Sequence, residues 1–537
     1  MDADVIVVGA GISGALVADR LAASGVKVLI LEAGPRVSRE QAVVQFFDAT
    51  MKVPECAYPN AAYAPHPRSD NPDFYLVQSG PDKFKSTYLR QVGGTTWHWL
   101  GTCLRLVPDD FRLAARFGRG VDWPIDYSAL EPWYGRAEEA IGVAGDSSAD
   151  LGSPRTSPYP MPRIAPSYLD GVVAKGFDGF GFDVRATPQG RNSVVRDERP
   201  PCCGNSSCIP VCPIQAKYDA TVHVARAEKG GARLLDRCVV HRIEIGRDGS
   251  VAAVRYKRPD GSDHRATAKV YVLAAHAIEI PKLLLMSRGP NAPHGVANSS
   301  GQVGRNLMDH PIQLSWALVA TPVYPYRGPM STSGVENTRA GDWRATRPSF
   351  RIEIGNDGWS WPTGAPASDA QALAANGLRG AALQRALYER TARQIRVASL
   401  TEQLPDPDNR VTPDPVKRDA LGLPRPRIAY RIDDYTKAGL AEARRIHGEA
   451  FARLHATEIA HNADKEFQGA GHVMGTARMG SDAKQAVVDA NLRAFDHPNL
   501  FIEGSAVFPT GGAANPTLTI AALALRSVDA IRTALTA

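Results

Sequence analysis

An apolar β-branched run, a glycine-spaced turn and a second apolar run ending on an acid predict an α/β protein opened by a Rossmann-like dinucleotide-binding unit. The first run is Asp4-Val5-Ile6-Val7-Val8. It meets Gly9-Ala10-Gly11-Ile12-Ser13-Gly14, a G-x-G-x-x-G. A helical pattern follows with Leu16, Val17, Leu21 and Ala22 on one face. Val26 to Leu31 then reads as a strand ending at Glu32. Gly9 permits the tight turn, Gly11 lets the backbone approach a pyrophosphate, and Gly14 lets helix and strand lie close. The phosphates would sit at the helix N-terminus, where unpaired N–H groups and the dipole favour anions. Glu32 stands where a carboxylate accepts from a ribose hydroxyl. A bare glycine motif is weak evidence; here strand, helix and acid all agree. The unit alone does not choose between NAD and FAD.

With 537 residues the chain has room for roughly three domain-sized cores. Its 44% hydrophobic and 22% charged residues are those of an ordinary globular protein. A net charge of +6 is modest at this length, and no Lys/Arg cluster interleaves with aromatics, which argues against nucleic acid. No apolar run approaches the ~18 residues of a membrane span. Val5 to Ala18 could pass for a signal-peptide core, but Met1-Asp2-Ala3-Asp4 is acidic and the glycines are otherwise explained. The expectation is a chain with no export signal or transmembrane span of its own.

Beyond Glu32, Val53 to Asp82 is rich in Pro and aromatics and reads as ordered loop. Arg90-Gln91-Val92-Gly93-Gly94-Thr95-Thr96-Trp97-His98-Trp99 follows; adjacent glycines before two threonines suit backbone passing close to a flat ligand. A plain glycine turn before an aromatic core patch is the structural alternative. Tyr127 to Ile141 predicts an amphipathic helix. Leu234 to Tyr256 and Val270 to Ala275 predict strands at the edge of the nucleotide domain, and Ile278 to Met286 a helix. Gly304 to Pro311 predicts a compact polar loop. From Ser315 the character changes: strand-like Ser349–Ile354 and Arg427–Ile432 flank an Ala/Arg-rich helical stretch from Ala370 to Ala392. The C-terminal run Asn499 to Gly504, then Asn515-Pro516-Thr517-Leu518-Thr519-Ile520 and an Ala/Leu helix, predicts a return that completes the first domain. The resulting division is residues 1–314, with an insertion at about 145–220, then a mixed α+β domain at 315–464, then a return at 465–537.

Of seven cysteines, Cys56, Cys103 and Cys238 are scattered and read as small buried hydrophobes. Cys202, Cys203, Cys208 and Cys212 crowd together, with Pro213 behind them. The spacing leaves open an iron–sulfur site, a zinc site, disulfides or plain burial. The Cys-Pro ending echoes ferredoxin-type segments, but the spacing is not theirs. Adjacent Cys202 and Cys203 do not easily face one cluster together.

Taken together, Gly9-x-Gly11-x-x-Gly14 with Glu32-Ala33-Gly34, Gly93-Gly94-Thr95-Thr96, Gly304-Arg305-Asn306-Leu307 with Asp309-His310, Gly471-His472-x-x-Gly475-Thr476-x-x-Met479-Gly480 and Asn515-Pro516-Thr517-Leu518-Thr519 resemble the glucose–methanol–choline (GMC) flavin oxidoreductases. The cysteine segment and Trp97-His98-Trp99 are similar to the large subunits of bacterial membrane-bound sugar dehydrogenases of glucose, fructose, sorbitol and gluconate. The resemblance implies the GMC fold, with an FAD domain assembled from several segments and a substrate domain between them. It implies FAD contacts at Gly9, Gly11, Gly14, Glu32, Gly93, Gly94, Thr95, Thr96, Val240 and Thr517. It also implies a 3Fe-4S cluster on Cys202, Cys208 and Cys212. Cys203 is then left for a disulfide to a small chaperone-like subunit that carries the export signal. A multihaem cytochrome c subunit would anchor the complex on the periplasmic side of the inner membrane.

The expected reaction removes a proton from O–H and a hydride from C–H of a sugar, glucose or a related aldose foremost. His472 suits the proton, because imidazole titrates near neutrality. Asn515 suits the positioning of the same substrate oxygen. Among 13 histidines a single one is ordinarily structural; His472 is singled out by its glycine-rich stretch, ahead of His98 and His310. A hydride is two electrons, and an iron–sulfur cluster moves them singly. A flavin is stable between those steps and a nicotinamide is not, so cluster and FAD support one another. Alternatives are a polyol, ketose or gluconate dehydrogenase of the same subgroup, an oxidase that uses O2, and a redox-inert scaffold. Intact His472, Asn515 and cysteines favour an active dehydrogenase.

Overall fold

Strand Val5–Val8 is buried along its whole length, and an apolar run with no polar face can only sit between two others. In the computed structural model, which describes residues 1–463 and 467–536, it is the centre of a five-stranded parallel sheet. The order is Leu500–Ile502, Val270–Leu273, Val5–Val8, Val28–Leu31, Arg233–Leu235. Val5 stands opposite Val270 on one side and Val28 on the other. Helix Ile12–Ala22 covers one face with Leu16, Val17, Leu21 and Ala22 buried, packed on helices Thr221–Lys229 and Thr517–Thr536.

Three expectations need correction. Val270–Leu273 is not an edge strand: it is second in the sheet, because the C-terminal strand Leu500–Ile502 adds outside it. That strand lies more than 200 residues away in sequence, roughly, and nothing local announces the pairing. The helical stretch from Ala370 to Ala392 is two helices, Ala367–Ala375 and Gly380–Ala392. Gly377, at φ +91°, ends the first in a conformation that L side chains rarely adopt. The region read as ordered loop, Val53 to Asp82, also holds a short 3-10 turn, Pro72–Phe74, and a two-residue strand, Val77–Gln78. Helix Tyr127–Ile141 forms as expected, capped by the Asp126 side chain.

The second sheet is antiparallel and carries the other wall of the site. Its order is Thr457–His461, Pro311–Leu318, Gln394–Thr401, Phe350–Gly355, Ser333–Val335, Val184–Ala186, with Gln468–Gly469 also pairing on Pro311–Leu318. Helix Asp434–Arg453 lies on its back, in a core with Phe350, Ile352, Ile354, Ile395, Val397, Ile446 and Phe451. Strand side chains alternate, so the intervening Arg351, Glu353, Arg396, Ala398 and Leu400 point to the opposite face. The division drawn between positions 464 and 465 lies outside the described residues. Among the described residues no helix is long and apolar enough to cross a membrane.

One buried acid in the first sheet has a measurable consequence. Glu503 follows strand Leu500–Ile502; Ser527 donates to its Oε1, while Oε2 has no partner. Burial pushes its pKa up to about 8. Between the ordinary carboxyl range and pH 8 the folded protein therefore holds a proton that the unfolded chain has released, so stability falls as pH rises through that window. Glu503→Gln is expected to raise the melting temperature at pH 9 and leave it nearly unchanged at pH 5. An equal effect at both pH values would contradict this reading.

Candidate functional site

The glycine loop opens onto a cavity of about 420 Å³ that runs between the two sheets. Gly9 (φ +105°) closes the turn, where an added Cβ would meet the Ala274 carbonyl oxygen at 2.5 Å. At Gly14 a Cβ would stand 2.1 Å from the Gly9 carbonyl oxygen, so this glycine sets the approach of helix to loop. A Cβ on Gly11 would meet nothing within 4 Å, because that side opens to the cavity. Helix Ile12–Ala22 begins there with no side-chain cap, which leaves its first N–H groups for an anion.

Glu32 is buried beside this loop. Its Oε2 accepts from the Ala10 N–H at 2.8 Å and its Oε1 from the Gly34 N–H at 2.9 Å. Burial raises its pKa, and those backbone donors oppose the shift. Gly94, Thr95 and Thr96 line the same cavity, as do Val240 and Thr517. Gly93 does not: its N–H donates to the Ala10 carbonyl at 3.0 Å, fastening the second glycine loop to the first. Gln91 Nε2, buried and without a partner, also borders the cavity. An open glycine face, an uncapped helix start and an unpaired amide together fit a dinucleotide.

His472 and Asn515 line the same cavity, with Nε2 and Nδ2 3.3 Å apart. His472 is held from behind on two sides. Its Nδ1 lies 2.9 Å from Nδ1 of His310, and its backbone N–H donates to Asp309 Oδ1 at 2.9 Å. Ser86 Oγ also donates to Asp309, whose pKa burial pushes up to about 7. Burial first, then the neighbouring His310 ring and the Arg351 guanidinium, hold the His472 imidazole well below its ordinary pKa. It is therefore neutral at pH 7 and able to accept a proton. Loss of base function on acidification should accordingly occur below pH ~6.5, the ordinary imidazole value. A pH profile of flavin reduction with its acid limb above that value would contradict this.

The sequence reading missed the second sheet's contribution. Arg351 is fully buried and donates to Glu336, Glu353, Thr187 and Asn515. Glu353, Asp357 and Arg396 line the cavity, and Arg396 Nε donates to Asp357 Oδ1 at 2.8 Å. The signal was present in Arg351-Ile352-Glu353-Ile354: charged residues alternate with apolar ones, which alone does not say which face meets water. His98 also lines the cavity, but burial lowers its pKa to about 3 and its Nδ1 lies 3.3 Å from the Pro54 carbonyl oxygen.

Cys202, Cys208 and Cys212 share a separate, small cavity with Arg191, and Cys203 lines it too. Each sulfur receives an N–H: Cys202 from Gly204 at 3.5 Å, Cys208 from Arg191 Nη2 at 3.3 Å, Cys212 from Lys217 N at 3.4 Å. Arg191 Nη1 is buried and has no partner. Lys217 Nζ is buried too, donating to the carbonyls of Trp97, Trp99 and Cys208 and so joining this segment to the second glycine loop. The N–H donors and the unpaired guanidinium nitrogen suit sulfurs that carry negative charge, whereas burial raises the Cys202 thiol pKa and Cys208 Sγ lies 3.5 Å from the Asn205 carbonyl oxygen, to which a thiol would donate. All seven cysteines are free, Cys103, Cys208 and Cys238 are buried, Cys56 is half-buried and Cys203 is exposed. Among the described residues no three His, Cys, Asp or Glu side chains converge to hold a single metal ion.

A dinucleotide cradle that runs into a neutral imidazole and an amide defines an oxidoreductase of hydroxyl groups. Models of the GMC oxidoreductase family match residues 4–312 and 405–524, and the chain belongs to that family, with FAD as its dinucleotide. It is 37% identical over 547 residues to the fructose dehydrogenase large subunit of Gluconobacter japonicus, covering 99% of this chain and 98% of that one. It is 29% identical over 546 residues to the 2-methyl-1,2-propanediol dehydrogenase of Mycolicibacterium austroafricanum, covering 98% and 95%. The crystal structure of pyridoxine 4-oxidase from Mesorbium loti superposes with a TM-score of 0.66 at 19% identity, covering 99% of each chain. That likeness is one of fold.

The cradle makes a direct prediction. Gly11→Val leaves the protein folded, since its side chain enters open space, but bars the pyrophosphate and abolishes FAD binding. Full flavin content in Gly11→Val would place the dinucleotide elsewhere.

Proposed function

We propose that this chain is the flavin-bearing catalytic subunit of a sugar dehydrogenase. It oxidises a hydroxyl of a neutral sugar, a hexose or a related polyol, and its electrons leave through a 3Fe-4S cluster to a cytochrome c partner. The observation that carries the reading is the His472–Asn515 pair, 3.3 Å apart and lining the dinucleotide cavity. FAD, when bound, accepts the hydride. His472 Nε2 takes the hydroxyl proton, and Asn515 holds the same oxygen so that the C–H bond faces the cofactor.

The cavity floor supports a polyhydroxylated, uncharged substrate. Arg396 is tied to Asp357 and Arg351 to Glu353, so both guanidinium charges are offset locally. What remains is a wall of donors and acceptors, the pattern that vicinal hydroxyls need. Similarity to a fructose dehydrogenase large subunit over nearly the whole chain supports a hexose.

Cys202, Cys208 and Cys212 would hold the cluster, which passes electrons singly. The N–H donors to their sulfurs and the unpaired Arg191 Nη1 support an anionic iron–thiolate group there. Exposed Cys203 remains free to cross-link a small, export-competent subunit, and such a bond requires an oxidising compartment. We place the complex on the periplasmic face of the inner membrane, anchored by a multihaem cytochrome c. A dye-linked panel of hexoses, polyols and aldonates on purified protein tests the substrate class. Turnover with neutral hexoses or polyols is expected. Turnover confined to aldonates, or to none of the panel, would overturn the reading.

A further inference from the structure

We infer that Arg351 is a positioning residue that sets the tautomer of His472, leaving Nε2 bare to accept the substrate proton. Hydrogen-bond polarity requires this, given His472 as the base of the function proposed above. A guanidinium has five N–H donors and no acceptor. Arg351 Nη1 lies 3.2 Å from Asn515 Oδ1, so the atom it faces must be the amide oxygen. The other amide atom, which lies 3.3 Å from His472 Nε2, is therefore the NH2 group, a donor only. Nε2 must then present its lone pair. A neutral imidazole carries one proton, and for His472 it sits on Nδ1.

The next link follows the same rule. His472 Nδ1–H faces His310 Nδ1 at 2.9 Å, so His310 accepts there and carries its own proton on Nε2. His310 Nε2 is buried and makes no hydrogen bond of its own, so no neighbour opposes a proton there. The opposite arrangement, with His310 donating to His472, would put a proton on His472 Nε2 against the Asn515 NH2 group. Arg351 forbids it by pinning the amide. The guanidinium is itself fixed: Nε donates to Glu336 Oε1 at 3.1 Å, Nη1 also to Glu353 Oε2 at 3.1 Å, and Nη2 to Thr187 Oγ1 at 3.2 Å. Its strand position, one residue pair from Glu353 on the cavity face, is what lets a sheet of the substrate side orient a proton acceptor of the flavin side. In the reaction the hydroxyl proton goes to Nε2 and the hydride to FAD. His472 then holds protons on both nitrogens, with Nδ1–H still donated to His310.

The test is long-range ¹H–¹⁵N NMR of the FAD-bound protein labelled at histidine, with His472→Gln used to assign the signals. The expected result is His472 protonated on Nδ1 alone and His310 on Nε2 alone. A proton on His472 Nε2 in the wild type overturns the proposal. Asn515→Asp replaces the NH2 group with an acceptor and should drive a proton onto Nε2; an unchanged tautomer would also overturn it. The double variant Arg351→Met/Glu353→Gln removes the pin without stranding a carboxylate, since Glu353 is neutralised and Glu336 keeps Arg339. Flavin content verifies its fold. It should show mixed His472 tautomers, and kcat lower by about 10²-fold with KM changed little. A single wild-type tautomer there would assign the orientation to something other than Arg351. A protein that oxidises no sugar would refute the function proposed above and leave the wild-type spectrum to judge the tautomer.

Discussion

His472→Ala is expected to lower turnover by about 10²–10⁴-fold, the contribution of one positioned general base. Flavin content should be unchanged, because the cradle at Gly11 and Glu32 is built by other segments of the chain. The size of the effect follows from its surroundings. A neutral imidazole in a buried site accepts a proton without first losing one, and the two groups behind it leave only Nε2 toward the cavity. Asn515→Ala should act in the same direction with a smaller loss, since it removes orientation and leaves the base. Near-normal turnover in His472→Ala would mean that another group takes the proton; His98 borders the same cavity and would be examined next.

With the cluster and cytochrome partner proposed above, Cys208→Ser is expected to lose iron and abolish electron delivery to that partner, while one round of flavin reduction by substrate survives. The two functions separate because the cysteine cavity and the His472–Asn515 pair are distinct places in the fold. Cys208 is also the sulfur that Arg191 addresses, and the segment's tie to the second glycine loop runs through its carbonyl and Lys217. Cys203→Ser should retain iron and turnover and lose a reducible cross-link to the small subunit on non-reducing gels. Iron loss in Cys203→Ser but not in Cys202→Ser would reverse the assignment of that adjacent pair. Iron content unaffected by every cysteine change would refute the cluster.

The dinucleotide half of the site was legible because its chemistry is written in consecutive residues. Gly9 to Gly14, Glu32 and Gly93 to Thr96 form motifs whose spacing mirrors a turn, a helix start and a strand end, and the structure gathers Gly9, Gly11, Glu32 and Gly94 to Thr96 around one cavity, with Gly14 and Gly93 in the packing behind it. Helix Tyr127–Ile141 and strand Val28–Leu31 were legible for the same reason. What could not be read depends on pairing at long range. Val270–Leu273 reads locally as any buried strand, and its place inside the sheet depends on Leu500–Ile502. Arg351, Glu353 and Arg396 look like surface charges on alternating strands until the helix Asp434–Arg453 is seen to occupy the other face. His310 was visible only as a neighbour of a motif; its contact with His472 spans 162 positions.

The central claim is that a sugar's carbinol C–H gives its hydride to FAD while the hydroxyl on that carbon gives its proton to His472, beside Asn515. Anaerobic mixing of the purified, FAD-containing protein with a panel of neutral hexoses and polyols, followed by the flavin absorbance band, tests it in a single turnover. The account predicts rapid bleaching with at least one of them and bleaching slowed by about 10²-fold or more in His472→Ala. A flavin band that no sugar or polyol bleaches, in protein shown to hold FAD, would contradict it.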